Sequence, residues 1–545
     1  KKRVKDSELI TESVVRYQET PVYYRVEYKD GSLYKGLAKN VTAMSESYRL
    51  EWTDRYGNDF QDRVETTPNS EIAAMGECGE DAIYAVDMEG VMTISGSGTV
   101  TSSDFNTDMH LEKLIIEEGI TAIGGEAFSD FGMAEVVIPD SVTSIGYNAF
   151  KGCSNLTSVV IPDSVTSIGA RIFFDCEKLK NITIPFVGEK ADGSGVTRLG
   201  YLFGDRTNYN HENDYYRYVP DSLRTVIVTG GTIIGDDAFQ SCNELTSITL
   251  PDSVTSIGES AFAGCYGLTS ITIPEGVTGI GANAFSGCSA LTDVYYQGDL
   301  SGWLGIEFRD TVTDWTLVGY EANPMCEAEN LYINGELLQG ELVIPEGTQK
   351  IGDYAFYGCS GLTSIVIPDS VTSIGEEAFY GCDGLTSITI PFVGEKADGS
   401  GETHFGYIFG ASNYSYNDDY VPESLKEVIV TGGTSIGEDA FYNCSSLKSI
   451  TIPDGVTSIG REAFSGCSGL TSITIPFVGQ KADGTGVTDF GYIFYVIGFF
   501  GDVYSIPESL KEVIITGGES IADGAFAGCE SLITVTIPET VTALG

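Results

Sequence analysis

The chain has 545 residues and carries 78 acidic against 30 basic side chains, a formal net charge of -48. This length is more than one hydrophobic core usually serves, so the chain is either several domains or a repeat array. The net charge disfavours nucleic acid and anionic membranes as partners held by electrostatic attraction. Hydrophobic residues make up 42% of the chain, which is enough to build a core.

The chain begins with Lys1-Lys2-Arg3 instead of Met and a hydrophobic signal segment, and it has no apolar run of about 18 residues. We therefore expect no membrane insertion, and we expect any signal or anchor to lie outside residues 1–545. The last residues, 541–545, begin another repeat unit, so the natural protein is expected to continue.

Residues 1–75 do not show the repeat, and we predict a small β-rich N-terminal module there. Residues 21–34 alternate aromatic or β-branched with polar residues around Asp30-Gly31, which predicts a hairpin, and residues 47–53 predict another strand. Residues 76–113 are predicted to contain a hairpin that turns at Glu89-Gly90. This hairpin is expected to cap the exposed first edge of the array that follows.

From residue 114 to residue 545 the sequence is dominated by a 23-residue repeat. Its marker is a phenylalanine after alanine, in one copy after isoleucine, and eleven copies are recognisable: Phe128, Phe150, Phe173, Phe239, Phe262, Phe285, Phe356, Phe379, Phe441, Phe464 and Phe526. A single unit of this length cannot bury its own apolar side, whereas stacked units can. The repeat therefore predicts a solenoid.

One repeat, LTSIVIPDSVTSIGEEAFYGC from residue 362 to 382, can be interpreted face by face. Alternation over residues 362–367 predicts a short strand with its Leu and Ile side buried. Val371 and Ile374 are predicted to be buried in a second segment, and Gly375 is expected to allow a turn. Residues 376–382 begin with two acids and close with Gly381 before Cys382, which predicts one helical turn with Phe379 packed inward.

The repeat is interrupted near residues 186–222, 292–344, 392–424 and 477–509. The second of these is predicted to hold two divergent rungs. The other three are near-copies, and aligning Leu223, Leu425 and Leu510 with the repeat leucine leaves 44, 40 and 40 residues where 23 are needed. We therefore expect each of the three inserts to add about the length of one repeat. The inserts are expected to emerge from one face of the solenoid, with Phe203, Phe409 and Phe494 as buried anchors.

The repeat LTSITIPDSVTSIGEEAFYGC, the entry hairpin ending in ISGSG and the FGYIFG insert followed by VPESLKEVIVTGGTSIG resemble the BspA-like leucine-rich-repeat proteins of bacterial surfaces. The resemblance covers residues 78–545. It implies a right-handed leucine-rich-repeat solenoid, β-rich with short helical turns, in a secreted or cell-surface protein. It also implies adhesion to host extracellular proteins or other cells. No binding residue of the family can be transferred to this chain.

Ten of the twelve cysteines lie three residues after a repeat phenylalanine: Cys153, Cys176, Cys242, Cys265, Cys288, Cys359, Cys382, Cys444, Cys467 and Cys529. The first copy has Phe131 at this position. A position that accepts either residue is best explained as a buried hydrophobic site, so we predict free core thiols. Disulfides between rungs and zinc sites are the weaker alternatives.

The sequence predicts neither an enzyme nor a cofactor. His110, His211 and His404 share no repeat phase, and the common catalytic motifs are missing. Acidic residues follow the repeat proline at Asp140, Asp163, Asp252, Glu275, Glu346, Asp369, Asp454 and Glu539. Stacking would place these like charges about 5 Å apart, which predicts that weakly bound Ca²⁺ could relieve their repulsion.

The three related inserts contain tyrosines among Asn, Asp and Gly, a composition typical of adaptable recognition loops and of sugar-stacking sites. The candidate ligand-binding residues are Tyr209, Tyr215, Tyr216, Tyr218, Tyr414, Tyr416, Tyr420, Tyr495 and Tyr504. The alternative is that the inserts only cover the solenoid. A plain Ser/Thr sheet surface is expected to be solvated.

These observations favour a non-enzymatic, extracellular or cell-surface protein that binds a protein ligand, such as a host matrix protein, in the manner of an adhesin. Carbohydrate binding through the insert tyrosines is one alternative. A structural stalk that spaces another domain from the cell is the other.

Overall fold

A computed structural model describes most of the chain. Side chains are described at residues 74 and 76–79 and within residues 81–101, 111–204, 219–308, 322–494 and 506–545, and strand backbone is described at several further positions. The chain divides into two compact units, residues 1–253 and 254–545. The predicted module boundaries at residues 75 and 113 stay a prediction.

The first unit begins with antiparallel sheets. Its first strands are Leu9–Arg16, Val22–Tyr28, Leu33–Leu37, Asn40–Met44, Ser47–Thr53, Asp59–Val64, Ile72–Glu77, Asp81–Asp87 and Val91–Val100. The hairpin predicted around Asp30-Gly31 is present, because Val22–Tyr28 pairs antiparallel with Leu33–Leu37. The hairpin predicted at Glu89-Gly90 is also present. Its second strand pairs parallel with the first two repeat strands, so it covers the edge of the array as predicted.

The remaining strands of the first unit form two sets of parallel repeats. The longer strands are Lys113–Ile116, Glu135–Val137, Ser158–Val160, Asn181–Ile184, Thr225–Val228 and Ser247–Thr249. The shorter strands are Ile120–Ile123, Ser144–Ile145, Ser167–Ile168 and Ile233–Ile234, and a 3-10 helix spans Leu199–Leu202. In both sets, each residue pairs with its equivalent in a neighbouring repeat, as in Ile182 with Val226.

The second unit has the same organisation. Its longer strands are Ser270–Ile273, Asp293–Tyr296, Asn330–Ile333, Gly340–Val343, Leu362–Val366, Ser387–Ile390, Glu427–Val430, Ser449–Thr451, Ser472–Ile475, Glu512–Ile515 and Thr534–Thr536. Its shorter strands are Ser256–Ile257, Gly279–Ile280, Glu307–Phe308, Glu336–Leu337, Lys350–Ile351, Ser373–Ile374, Ser435–Ile436, Ser458–Ile459, Tyr495–Val496, Val503–Tyr504, Ser520–Ile521 and Ala543–Leu544. Helices span Leu300–Leu304 and Asn417–Tyr420, and 3-10 helices span Pro324–Cys326, Phe405–Phe409, Tyr414–Tyr416 and Phe490–Phe494.

The buried face of each rung is the predicted one. Leu362, Ile365 and Ile367 are at most 1% exposed, and Val371 and Ile374 are equally buried. The repeat phenylalanines stack on one another between rungs, with ring centroids 5.6 Å apart for Phe356 and Phe379. Apolar side chains in register thus fill the interior of each unit, and the fold is a leucine-rich-repeat solenoid as predicted.

The helical turn predicted over residues 376–382 is wrong. These residues form hydrogen-bonded turns: the Tyr380 and Cys382 N–H groups bond within the segment, three residues back, whereas those of Glu377 and Phe379 bond to carbonyls of the insert in the next rung. Phe356 N–H donates to Ala378 O at 2.9 Å, and Phe379 N–H donates to Ile408 O at 2.9 Å. A helix would need those donors for its own i-4 carbonyls. Glu377 has a φ of 53°, which also breaks a helical path.

Gly375, the glycine before this turn, is required because two rungs approach each other closely there, and not because its φ angle is unusual. A Cβ atom at Gly375 would lie 2.4 Å from the backbone nitrogen of Asp353 in the preceding rung. Only glycine therefore allows consecutive rungs to stack at this corner. The left-handed backbone occurs two residues later, at Glu377 and at its equivalents in other rungs.

The three related inserts do not add a strand to the longer-strand sheet. Ser387–Ile390 pairs directly with Glu427–Val430, although the second insert lies between them in sequence. The insert instead replaces the second half of one rung. Lys396 forms an antiparallel bridge with Ser373 where the short parallel strand would lie, and the same bridge recurs at Lys190 and Lys481. The additional residues of each insert therefore enlarge one existing rung and do not form a new rung.

Each insert then supplies its own aromatic layer. Phe203, Phe409 and Phe494 are at most 1% exposed, so the predicted anchors are confirmed. Phe203 lies 6.1 Å from Phe173, and Phe405 lies 5.0 Å from Phe441 between ring centroids. Because the layer takes the place of the Ala-Phe turn, the stack of aromatic side chains continues through the insert.

The degenerate segment near residues 292–344, where two divergent rungs were predicted, contains three of the longer strands, and the first two are in repeat register. Asp293–Tyr296 pairs parallel with Ser270–Ile273 and with Asn330–Ile333. The second of these strands then turns back into an antiparallel pair with Glu336–Leu337. A separate eight-stranded sheet starts at Gly340–Val343. The sheet is therefore interrupted at a point that the repeat count does not reveal.

The cysteines occupy the core as free thiols. Nine of the ten repeat cysteines are buried, and Cys529 is half-buried. The Cys382 thiol donates to Phe356 O at 3.4 Å, and burial raises the pKa of this thiol well above its usual value. No disulfide is present among the described residues, so the prediction of buried thiols is confirmed.

Thiol titration provides a direct check. We expect a thiol reagent to react at pH 8 with at most two groups of the native protein, Cys326 and Cys529, because the other ten are buried. After denaturation under argon, all 12 thiols should react. A native count above four, or a denatured count below ten, would contradict this assignment.

Candidate functional site

The tip of the second insert, residues 411–423, carries three of the predicted ligand-binding tyrosines. Asn413 caps a short 3-10 helix, Tyr414–Tyr416, by accepting the Ser415 N–H at 3.0 Å. The helix Asn417–Tyr420 follows without a break. Tyr414, Tyr416 and Tyr420 are 44%, 46% and 38% exposed. All three are therefore available to a ligand.

One buried side chain fixes this tip to the solenoid. Asn417 is fully buried, and its Oδ1 accepts the Gly406 N–H at 3.1 Å. Its Nδ2 donates to Tyr442 O at 2.9 Å. The same Oδ1 lies 3.2 Å from Nδ1 of His404, and burial lowers the pKa of that imidazole. Because the neutral ring can donate from Nδ1, Asn417 uses its acceptor and a donor within the protein.

The tip places its tyrosines against tyrosines of the neighbouring rungs. Tyr420 lies 6.1 Å from Tyr380, which stacks on Tyr357 at 4.7 Å between ring centroids. Tyr414 makes an edge contact with Tyr442 at 5.5 Å. We call Tyr357, Tyr380, Tyr414, Tyr416, Tyr420 and Tyr442 the tyrosine cluster. Its ring contacts join the insert to three repeat turns, through Tyr420 on one group of rings and Tyr414 on another.

The surroundings of the tyrosine cluster are acidic. Burial raises the pKa of the Tyr442 hydroxyl, and the carboxylates of Glu462, Asp439 and Asp418 raise it further. Asp418 and Asp419 are exposed, and neither forms an ion pair with another residue that the structure describes. Glu462 is paired with Arg461 at 2.7 Å, so the negative charge left without a partner among the described residues is that of Asp418 and Asp419.

Asp439 predicts a pH dependence of stability. Burial, followed by repulsion from Glu462 and Glu438, raises the pKa of this carboxyl to about 6. The folded protein thus binds this proton more tightly than the unfolded chain does. Ionisation of Asp439 therefore lowers the free energy of unfolding by its full amount above pH 6, and it has no effect below about pH 4, where the carboxyl is protonated in both states. We expect Asp439→Asn to raise Tm relative to wild type at pH 7, and the difference to shrink as pH falls to 4.5.

Asp237 is the matched control, because it occupies the same repeat position but pairs with Arg198 at 2.6 Å. Asp237→Asn removes an attractive contact and should lower stability at pH 7 by up to about 1 kcal/mol. Thermal melts of both variants between pH 4.5 and 7 provide the comparison. Equal shifts for the two variants would contradict the assigned role of Asp439.

For the other six predicted ligand-binding residues, the structure describes at most the backbone. Tyr209, Tyr215, Tyr216 and Tyr218 of the first insert lie outside the described residues. In the third insert, the strands Tyr495–Val496 and Val503–Tyr504 pair antiparallel, so the backbones of Tyr495 and Tyr504 face each other. The ligand-binding role of all nine tyrosines stays a prediction.

Sequence reasoning missed part of the aromatic surface. Tyr357, Tyr380 and Tyr442 each follow a repeat phenylalanine by one residue, and this recurrence could have been noticed. A second pair was also missed: Tyr295 and Tyr332 occupy paired positions on adjacent strands and stack at 4.5 Å between ring centroids. Their strands lie in the degenerate segment, where only the structure reveals the register.

The acids that follow the repeat proline do not form the expected continuous ladder. In each insert-bearing rung the residue after proline is a phenylalanine, such as Phe392, so the series is interrupted. Asp369 instead accepts the Thr431 hydroxyl at 2.6 Å, and Asp163 accepts the Thr229 hydroxyl at 2.5 Å. Within the described ranges, no group of three or more His, Cys, Asp or Glu side chains is arranged to hold a metal ion.

Stacked 23-residue rungs with a Leu/Ile strand and a Phe/Cys turn define a leucine-rich-repeat protein. The family model for the BspA type leucine rich repeat region matches residues 98–191, 215–307, 333–401, 420–482 and 503–545. The chain belongs to this BspA-type leucine-rich-repeat family. A comparison with curated protein sequences found no match.

Solved structures of leucine-rich-repeat proteins resemble the chain. A leucine rich cell surface protein from Faecalibacterium prausnitzii shares 27% identity, with 74% of this chain and 94% of that one covered and a TM-score of 0.26. A leucine-rich repeat protein from Bacteroides ovatus shares 22% identity over 87% and 89% of the two chains, with a TM-score of 0.24. An internalin from Listeria monocytogenes shares 13% identity over 72% and 83%, with a TM-score of 0.20.

The helices of the described residues are all short. None of them has both the length and the apolar composition that crossing a membrane requires.

Proposed function

We propose that the chain is a non-enzymatic binding protein of the bacterial surface or its surroundings, and that it holds a protein ligand with the tyrosine cluster. The observation that carries this proposal is the tip at residues 411–423, where one fully buried asparagine holds three exposed tyrosines in place. Surface tyrosines that are already ordered lose little conformational entropy on binding, which makes them effective contact residues.

The repeat family supports this proposal, because leucine-rich repeats present extended surfaces suited to protein ligands. The Faecalibacterium relative is described as a cell surface protein, which favours the same location for this chain. Host matrix proteins are the proposed ligand class. Glycan binding is the second candidate, since exposed tyrosines beside the Asp418 and Asp419 carboxylates also suit a sugar.

A solid-phase binding assay with fibronectin, laminin and collagen tests the proposal. We expect wild type to bind at least one of them, and the triple variant Tyr414→Ala/Tyr416→Ala/Tyr420→Ala to bind it at least tenfold more weakly, since aromatic residues dominate interface energies. The control is Tyr266→Ala, which removes a tyrosine that is 52% exposed elsewhere in the same unit.

Equal binding by wild type and the triple variant would overturn the proposed site. Wild-type binding to a glycan array that the triple variant loses, without binding to any of the three proteins, would favour the glycan alternative over the protein ligand.

A further inference from the structure

We propose that the part of the ligand held by the tyrosine cluster is a cationic, arginine-rich segment of the partner protein. This inference rests on the proposed function and names the chemistry of the partner. It follows from the charges that surround the exposed rings and from the way those rings and charges are placed together.

The chain segments that build the cluster contain acids and no bases. Residues 353–361, 376–384, 411–423 and 438–446 include no lysine or arginine. Their acids are Asp353, Glu376, Glu377, Asp383, Asp418, Asp419, Glu423, Glu438 and Asp439. A charge imbalance of this kind, on a surface that also exposes aromatic rings, matches a positively charged partner.

An acidic side chain and two tyrosine rings also lie close together beside Gly410. A Cβ atom at Gly410 would lie 3.0 Å from the Tyr380 ring, 3.1 Å from Cγ of Glu377 and 3.3 Å from the Tyr420 ring. The two rings and the acidic side chain therefore approach the same position. The charge of Asp418 also raises the pKa of the Tyr442 hydroxyl and of the Cys444 thiol, although burial is the larger cause in both.

A guanidinium group fits this arrangement better than other ligand groups do. It stacks on aromatic rings and pairs with carboxylates through its planar fork, and it sheds water more readily than an ammonium group. Asp418 and Asp419 are exposed, so a partner pays little desolvation to reach them. A second copy of this chain is disfavoured as the occupant, because two chains that each carry a net charge of -48 repel each other.

Calorimetric titration of the whole chain with synthetic peptides tests this inference. The probes are a ten-residue peptide that alternates glycine with arginine, and the same peptide with lysine or with glutamate in place of arginine. We expect the arginine peptide to bind most tightly, the lysine peptide more weakly and the glutamate peptide not at all. Raising NaCl from 50 to 300 mM should weaken the arginine peptide at least tenfold.

Three variants locate the binding. Asp418→Asn/Asp419→Asn should weaken the arginine peptide by about tenfold, since each exposed charge contributes a few-fold. Tyr414→Ala/Tyr420→Ala should weaken it by a similar factor through lost stacking. The control Glu275→Gln/Glu346→Gln removes the same charge from two exposed positions elsewhere in the same unit, and it should change the affinity less than twofold.

The outcomes separate the two proposals. If Asp418→Asn/Asp419→Asn affects the arginine peptide no more than Glu275→Gln/Glu346→Gln does, the attraction is diffuse and the inference is overturned. If the tyrosine variants lose matrix-protein binding while the charge variants keep it, the inference again fails but the proposed function stands. If the tyrosine variants retain the binding of every probe, both fail.

Discussion

Phe379→Ala is expected to lower the free energy of unfolding of the second unit by about 3–5 kcal/mol. The ring is fully buried and stacks on Phe356 at an interplanar angle of 8°. Its loss leaves a cavity between a repeat turn and the insert, and backbone hydrogen bonds to Ile408 prevent that turn from collapsing into it. Because neighbouring rungs stabilise one another, the substitution should lower the stability of the whole stack of rungs.

Urea denaturation followed by far-UV circular dichroism measures this effect. The control is Asp383→Ala, an exposed position four residues later, which should change stability by no more than about 0.5 kcal/mol. A loss below about 1 kcal/mol for Phe379→Ala would mean that the aromatic stack is not a main source of stability.

Asn417→Ala is expected to destabilise the tip at residues 411–423 by about 2–4 kcal/mol. The substitution leaves the Gly406 N–H and the Tyr442 carbonyl without their partner in a buried position, and each unpaired group costs about 1–3 kcal/mol. The tip should then open locally while the sheet beneath it stays paired. The proposed ligand binding through Tyr414 and Tyr420 should weaken in parallel, because these side chains lose their fixed positions.

Hydrogen exchange measured by mass spectrometry tests this result. Peptides that contain Gly406 and Val421 should exchange faster in the variant, whereas the strand Ser387–Ile390 should be unchanged. Asn413→Ala is the control, since Asn413 is only half-buried and its side chain accepts only from Ser415, so its loss should cost about 1 kcal/mol. Unchanged exchange at Gly406 would show that Asn417 does not anchor the tip.

Much of the fold could be predicted from the sequence because the repeat is strict. The spacing of Leu362, Ile365 and Val371 is enough to assign the buried face. The thiols could be placed in the core because the first repeat copy has Phe131 at the position where the other copies have cysteine. The local conformation of residues 376–382 was mispredicted, because glycine and acids at these spacings also suit a helical turn. Its backbone donors are used between rungs, and that choice depends on the neighbouring rung.

The candidate site was predicted in part. The insert tyrosines were identified by composition, and three of them are exposed in the structure. Their contacts with Tyr380 and Tyr442 could not be predicted, since these residues are 40 and 22 positions from Tyr420 in sequence. The buried position of Asn417 could not be predicted either, because nothing in the local sequence distinguishes it from Asn413, which is only half-buried.

The sequence by itself determined the repeat, the buried face, the free thiols and the leucine-rich-repeat class, since each of these depends on periodicity and side-chain chemistry alone. Only the tertiary structure decided that the inserts enlarge one rung, that the turn pairs with its neighbours, and that the tyrosines of the second insert contact tyrosines of the neighbouring repeat turns. The physical reason is that hydrogen bonds and ring contacts between rungs join residues far apart in the chain. Their register is set by the stacked neighbours and not by any local pattern.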